Sequence, residues 1–342
     1  LFSNLLNSKA HIGFQSIKQT EDLKMNDVET YVTYRRDGDV GRVTISRPKA
    51  LNALNEIVIK QLEAAFKEAE SAPDTKSIVI DATGGKAFVA GADIGAFIQR
   101  IQEDRLDDNL AFTTYGQSVM NLIDESKKLV VAKMEGMALG GGLELALCAD
   151  VIVSVPKPIM GFPETSIGIY PGFGGTQRSS RYIGKELAKY LIFSCRLISA
   201  EEANAIGLVD YIFAPEEIEE KMLALIAEGK LVPNKGKKTD ELPEDWRKMK
   251  GLFSDKNIDA LLGGEYLNNE DPLVAKTAKI ISRNAPIAIR LANQIIDEGY
   301  ELPVSEGARK ELKYLNEVFA TADALTGLTS VGGKEKPKFE GR

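Results

Sequence analysis

Two glutamates and two glycine-rich turns are the residues of this chain whose types and spacing could do chemistry. Glu144 follows Gly140-Gly141-Gly142 and is flanked by Leu143, Leu145, Ala146, Leu147 and Cys148. Glu164 lies in the turn-rich run Gly161-Phe162-Pro163-Glu164-Thr165-Ser166-Ile167-Gly168. A second turn reads Ala90-Gly91-Ala92-Asp93-Ile94. Glycines where a strand passes into a helix let backbone approach a ligand, and the first helical turn offers unpaired N–H groups with partial positive charge. Such a turn suits an anion that develops during a reaction, where one preorganised donor is worth ~3–4 kcal/mol. A carboxylate beside it in apolar surroundings is a candidate acid or base. Each feature also has a plainer reading. The glycines would pack helix against sheet, Glu144 would favour the helix dipole, and Glu164 would be a loop or cap residue. The turns lack the Gly-Lys-Ser/Thr ending of a phosphate loop and the Gly-x-Gly-x-x-Gly dinucleotide spacing.

Composition narrows the chemistry further. The chain has 342 residues, with 43 Lys plus Arg against 50 Asp plus Glu, a net charge of −7 and a pI near 5.2. An acidic balance argues against general nucleic-acid binding. The single histidine is His11. A Ser-His-Asp triad, a multi-histidine metal site or a Cys-His pair would all depend on it, so carboxylates, backbone amides, Lys, Tyr or Ser must act in any enzyme built on this chain. Cys148 and Cys195 have apolar flanks and no metal or disulfide spacing, which reads as buried free thiols in a reducing compartment. No run approaches the ~20 apolar residues of a membrane span, and no secretory signal is evident.

The elements that must position these residues follow from patterning. Residues 31–34 and 42–45 read as strands joined by the Asp37-Gly38 turn. Val58, Leu62, Ala65, Phe66 and Ala69 recur at helical spacing. Apolar runs at 77–80, 129–132 and 151–155 read as strands buried on both faces. Strands alternating with helices predict an α/β architecture. Residues 229–271, polar and carrying Pro233 and Pro243, read as an exposed insertion with room for short helices. From 272 onward the pattern is helical, with Pro286 in a first turn and Ala308, Leu312, Leu315 and Phe319 on one face of a last helix.

Taken together, four segments resemble the enoyl-CoA hydratase/isomerase (crotonase) family. They are Arg47-Pro48-Lys49-Ala50-Leu51-Asn52-Ala53-Leu54, Ala90 to Ile94, Ala138 to Leu145, and Phe162-Pro163-Glu164 running on to Gly174-Gly175-Thr176-Gln177-Arg178. The tail from Ser305 to Phe339 is similar too, and the likeness covers about 28–228 and 272–340. The resemblance implies a spiral of repeated ββα units with a helical C-terminal region, dividing the chain into an extension or linker at 1–27, a core at 28–228, the insertion at 229–271 and an oligomerisation region at 272–342. It implies an acyl-CoA thioester as substrate, with no permanently bound cofactor and no metal, and assembly as a homotrimer or a dimer of trimers. Glu144 and Glu164 would be the catalytic pair, and the N–H groups of Ala92 and Gly141 an oxyanion hole. Lys49, Ala50, Leu51, Ala53, Ala90, Gly91, Asp93, Ile94 and Gly140 would lie along the bound thioester and its CoA. Two glutamates favour hydration of an enoyl-CoA, with short chains such as crotonyl-CoA expected. The alternatives are an isomerase, an acyl-CoA hydrolase, or a noncatalytic acyl-CoA-binding protein. Ile94, Phe97, Tyr115 and Tyr170 are candidates to line the acyl pocket, whereas Asp150 and Arg178 read as structural. A cytoplasmic location is expected, or the mitochondrial matrix in a eukaryote. Residues 1–25 read equally as an excision boundary, a presequence remnant or a linker from an upstream hydroxyacyl-CoA dehydrogenase module.

Overall fold

Asp37-Gly38 turns the chain back on itself, with Gly38 at φ +62°, and pairs β1 (Val32–Asp37) antiparallel with β2 (Val40–Ile45). The computed structural model describes residues 29–233, 241–333 and 335–342. The expected extension at 1–27 lies outside them, as do residues 234–240 of the expected insertion. Residues 32–342 pack as one compact unit.

Beyond the hairpin comes α1 (Glu56–Ser71), started by the Asn55 side chain accepting the Val58 N–H. Then strands arrive in pairs. β3 (Ser77–Ala82) is followed by β4 (Ala87–Val89) and the helices α2 (Ile94–Gln102) and α3 (Leu106–Asp124). β5 (Leu129–Met134) and β6 (Met137–Leu139) lead into α4 (Gly141–Ala146). β7 (Val151–Ser154) and β8 (Ile159–Gly161) lead through a short 3-10 turn, Glu164–Ile167, into α5 (Gly175–Ile183) and α6 (Lys185–Ser194). The first strand of each pair joins a six-stranded sheet and the second joins a four-stranded sheet. β9 (Ile198–Ser199) closes the smaller sheet. After α7 (Ala200–Ala205), β10 (Tyr211–Ile212) closes the larger. Each ββα unit thus adds one strand to each of two sheets, the spiral that the resemblance implies.

The long apolar strands are buried on both faces because they are central and parallel. Val79, Val131 and Val151 are register partners across β3, β5 and β7. They pack with Ile218 and Met222 of α8 (Ile218–Ala227). Ile80, Ala132 and Ile152 form the next register row and are equally buried.

The described part of 229–271 differs from the exposed excursion its composition predicts. α9 (Glu244–Leu252) and α10 (Ile258–Leu262) carry a buried face of Trp246, Met249, Leu252 and Leu261, with Phe253 beside it. The Trp246 ring meets Tyr190 of α6 edge-on at 5.6 Å. Four or five apolar side chains at helical spacing suffice to dock a short helix even in a highly charged stretch. α11 (Pro272–Ile281) and α12 (Pro286–Gly299) follow, each with proline in the first turn. The single last helix expected from the sequence is broken: α13 (Val304–Lys313) ends at Tyr314, and α14 (Leu315–Phe319) and α15 (Ala322–Thr329) follow. Beyond the break, Leu315 and Phe319 line the cavity described below. Among the described residues no helix is long and apolar enough to cross a membrane.

Candidate active site

The site is built where the second strand of each pair runs out. After β6 the backbone turns at Gly140, with φ +49° and ψ −122°, a conformation that L side chains avoid. A Cβ at Gly140 would lie 2.3 Å from Glu164 Oε1, so the carboxylate and this turn are in direct contact. The Gly140 N–H donates to Gly161 O at 2.9 Å, tying the two segments together. Gly141 then opens α4, where its N–H has no intrahelical acceptor.

On the other side, Leu54 forms a parallel bridge with Ala92, through Leu54 N–H to Gly91 O at 2.9 Å and Asp93 N–H to Leu54 O at 2.8 Å. That pattern leaves the N–H of Ala92 itself directed away from Leu54. The Ala92 nitrogen lies 3.5 Å from where a Gly141 Cβ would be. The two amides are therefore neighbours.

Glu144 sits one turn into α4, and its Oε1 accepts the N–H groups of Phe173 and Gly175, both at 2.7 Å. This leaves Oε2 for the cavity. Burial pushes Glu144 up to about 7, against the pull of the Gly175 and Phe173 amides and the Arg178 charge. Glu164 Oε2 is buried with no hydrogen-bond partner. Burial, and then the charge of Glu144, hold Glu164 well above the usual carboxylate range. One site thus contains a carboxyl group pushed up to about 7 and another whose burial and like-charged neighbour favour its acid form, the arrangement by which two like groups take different roles.

Both glutamates, with Ala90, Gly91, Ala92, Ile94, Gly140 and Gly141, line one cavity of about 370 Å³. Phe97 and Tyr170 line it as expected; Phe173, Leu315 and Phe319 complete the apolar wall. Tyr115 does not. It projects from α3 toward α1, where its hydroxyl donates to Glu63. Lys49 and Leu51 line a separate hollow of about 260 Å³ with Lys86. Ala50 and Ala53 line neither cavity. The Ala53 carbonyl accepts Arg47 at 3.1 Å, and both Arg47 amino groups reach Asp93 at 3.1 Å. Asp150 accepts the Val130 N–H at 2.8 Å, and Arg178 donates to Phe173 O at 3.0 Å and Asn121 at 2.7 Å.

Two residues at this site escape a sequence reading. Buried Asn52 holds the 47–54 segment, accepting the Arg47 N–H at 2.7 Å and donating to Thr83 O and Ala87 O at 2.9 Å each. Glu311 of α13 is a third buried carboxylate, pushed up to about 8 by burial and by Glu144. Its signal was present: a charge three residues after Ala308 and four before Leu315 falls on the apolar stripe.

The enoyl-CoA hydratase/isomerase family profile matches residues 35–238, which contain both glutamates and both turns. The chain belongs to this family. Among its relatives in the enoyl-CoA hydratase/isomerase family, a crotonyl-CoA hydratase from Syntrophomonas wolfei is 40% identical, with 86% of this chain and 92% of that protein aligned. A short-chain-enoyl-CoA hydratase from Clostridium acetobutylicum is 32% identical over 91% of this chain and 97% of its own. The crystal structure of an enoyl-CoA hydratase from Rhodobacter sphaeroides superposes with a TM-score of 0.78 at 25% identity, covering 91% of this chain and 93% of that one.

Proposed function

We propose that this protein is an enoyl-CoA hydratase that adds water reversibly across the 2,3 double bond of an enoyl-CoA, giving a 3-hydroxyacyl-CoA. The observation that carries the reading is the convergence of two differently tuned carboxyl groups on the cavity that the Ala92 and Gly141 segments line. In this reading the two N–H groups hold the thioester oxygen. As water attacks C3, negative charge moves onto that oxygen, so the two bonds strengthen in the transition state and lower the barrier. Glu144, ionised near neutrality, orients water through Oε2 and takes its proton as the C3–O bond forms. Glu164, held in its acid form, gives a proton to C2 on the same face. A proton passed from Glu144 to Glu164 resets the site, and dehydration runs the steps in reverse.

Short acyl chains fit the reading. Phe97, Phe173 and Phe319 close round the cavity, and the relatives from Clostridium and Syntrophomonas carry short-chain names. Lys49 and Lys86, at the separate hollow, suit the phosphates of CoA. Assembly as a trimer or a dimer of trimers belongs to the same reading and is checked by sedimentation, where a monomer would remove it. An upstream dehydrogenase module is checked by the gene sequence preceding Leu1.

Product analysis with crotonyl-CoA tests the function. A 3-hydroxyacyl-CoA is expected; a shifted alkene would indicate an isomerase, free CoA a hydrolase, and binding without turnover a noncatalytic protein. Glu144→Gln and Glu164→Gln should each lower kcat by ~10²–10⁴-fold. Losses below ~10-fold in both would sink the acid–base assignment.

A further inference from the structure

We propose that Glu311 is a positioning residue for Glu144, acting through a strip of backbone amides that the two carboxylates share. The proposal rests on the acid–base reading of Glu144 given above. Four successive N–H groups, from Phe173 to Thr176, are divided alternately between two buried carboxylates. Those of Phe173 and Gly175 go to Glu144 Oε1, at 2.7 Å each. Those of Gly174 and Thr176 go to Glu311, at 2.7 Å to Oε2 and 3.2 Å to Oε1. Glu311 takes two further bonds, from Thr176 Oγ1 at 2.5 Å and Gln117 Nε2 at 2.8 Å.

Carbonyls of this stretch are held separately, Phe173 O by Arg178 at 3.0 Å and Gly172 O by Gln117 at 2.8 Å, whereas the N–H groups are held by the two carboxylates. Gly174 stands at φ +99°, and a Cβ there would lie 2.0 Å from the Arg178 guanidinium, so its amide is turned toward Glu311 by backbone that only glycine adopts. Alternate amides point to opposite sides, so a pull on one pair sets the direction of the other. Glu144 is held by both of its bonds at a single oxygen. The place of its second oxygen in the cavity therefore depends on the strip staying where Glu311 holds it.

Filling space alone does not account for Glu311. It is fully buried, and an apolar side chain would fill the same volume without burying a carboxylate. A carboxylate accepts donors at both oxygens, whereas an amide accepts at one and would set its NH₂ against the donors at the other. Glu311 is not in the lining of the cavity that Glu144 and Glu164 share, so its action runs through the amides.

The test is Glu311→Gln in the full chain, with steady-state kinetics on crotonyl-CoA and residue-resolved amide hydrogen exchange. A displacement of about 1 Å at a reacting group costs ~10²-fold, so kcat should fall ~10–100-fold. KM should stay within ~3-fold of wild type, because the thioester contacts are elsewhere. The amides of Phe173 and Gly175, which Glu311 does not touch, should exchange ~10-fold faster or more. Thr176→Val removes one hydroxyl donor and keeps the amide. It should move kcat and both exchange rates in the same direction by less, and it serves as the test if Glu311→Gln does not fold. Unchanged exchange at Phe173 and Gly175, or kcat within ~2-fold of wild type, would overturn the proposal. Absence of turnover in the wild type would overturn the hydratase reading instead, and the exchange rates would then decide the positioning by themselves.

Discussion

Three carboxyl groups meet around Gly140 and the Phe173–Thr176 strip, and all three are held above their ordinary value of 4.5. For a carboxyl raised on folding, the unfolded chain ionises first, so folding takes up protons above pH 4.5. The associated stability is fully present below about 4.5 and is lost as pH rises through about 7 for Glu144 and about 8 for Glu311. Replacing Glu164 by Gln removes one of these groups and its repulsion. The stability of Glu164→Gln, followed through its Tm, should therefore gain on wild type as pH rises above about 4.5, by on the order of 1 kcal/mol per pH unit at most. A difference in Tm that stays constant across that range, measured by calorimetry, would remove the shifted carboxyl from the account. Gly140→Ala sets a methyl group against Glu164 in a backbone conformation that alanine avoids. We expect a loss of ~1–3 kcal/mol in urea unfolding, with hydration activity falling further because Glu164 is displaced. Glu144 and Glu164 were legible in sequence because each stands beside glycines in a distinctive order. Asn52 was not, and Glu311 showed only its place on an apolar stripe, since most of their partners are carbonyls and amides tens to hundreds of positions away.

At the scale of elements, patterning served where an element is long and failed where it is short. α1 and the strands β3, β5 and β7 show their helical or apolar runs directly. The three-residue strands β4, β6 and β8 are too brief for alternation to register and lie under the glycine-rich turns. The break at Tyr314 was invisible because the apolar spacing of Ala308, Leu312, Leu315 and Phe319 continues across it. The docking of α9 was hidden by charge. There, burial of Trp246 against Tyr190 makes a checkable case: Trp246→Ala should cost ~3–5 kcal/mol by chemical denaturation. Its kcat in the folded protein should match wild type, because α9 takes no part in the cavity wall. A kcat loss without a stability loss would show that α9 reaches the site by a route other than packing. Lys189 argues the same way: it is fully buried in the middle of α6 and pairs with Asp297 of α12 at 2.8 Å, with Asp255 at 3.9 Å. Asp297→Leu should leave that charge with only the longer contact to Asp255 and destabilise by up to ~3–5 kcal/mol, read as a lower urea midpoint.

Across the whole molecule, the carboxylates and turns of the proposed reaction lie between residues 90 and 164, yet the cavity they share is finished by Phe173, Leu315, Phe319 and Val331. The carbonyl of Thr165, next to Glu164, accepts the Ala285 N–H at 2.9 Å, and the Asp323 carboxylate takes the N–H groups of Glu340 and Gly341. The ribosome releases a chain from its N-terminus onward, and units fold as they emerge. When Glu144 and Glu164 leave the exit tunnel, Leu315, Phe319 and Val331, which make one wall of their cavity, have still to emerge. The nascent polypeptide therefore carries its reactive groups through synthesis in an open and wet setting, where carboxyl groups keep their ordinary acidity and have little catalytic use. The cavity is complete only with α14 and the residues after it in place against groups made long before.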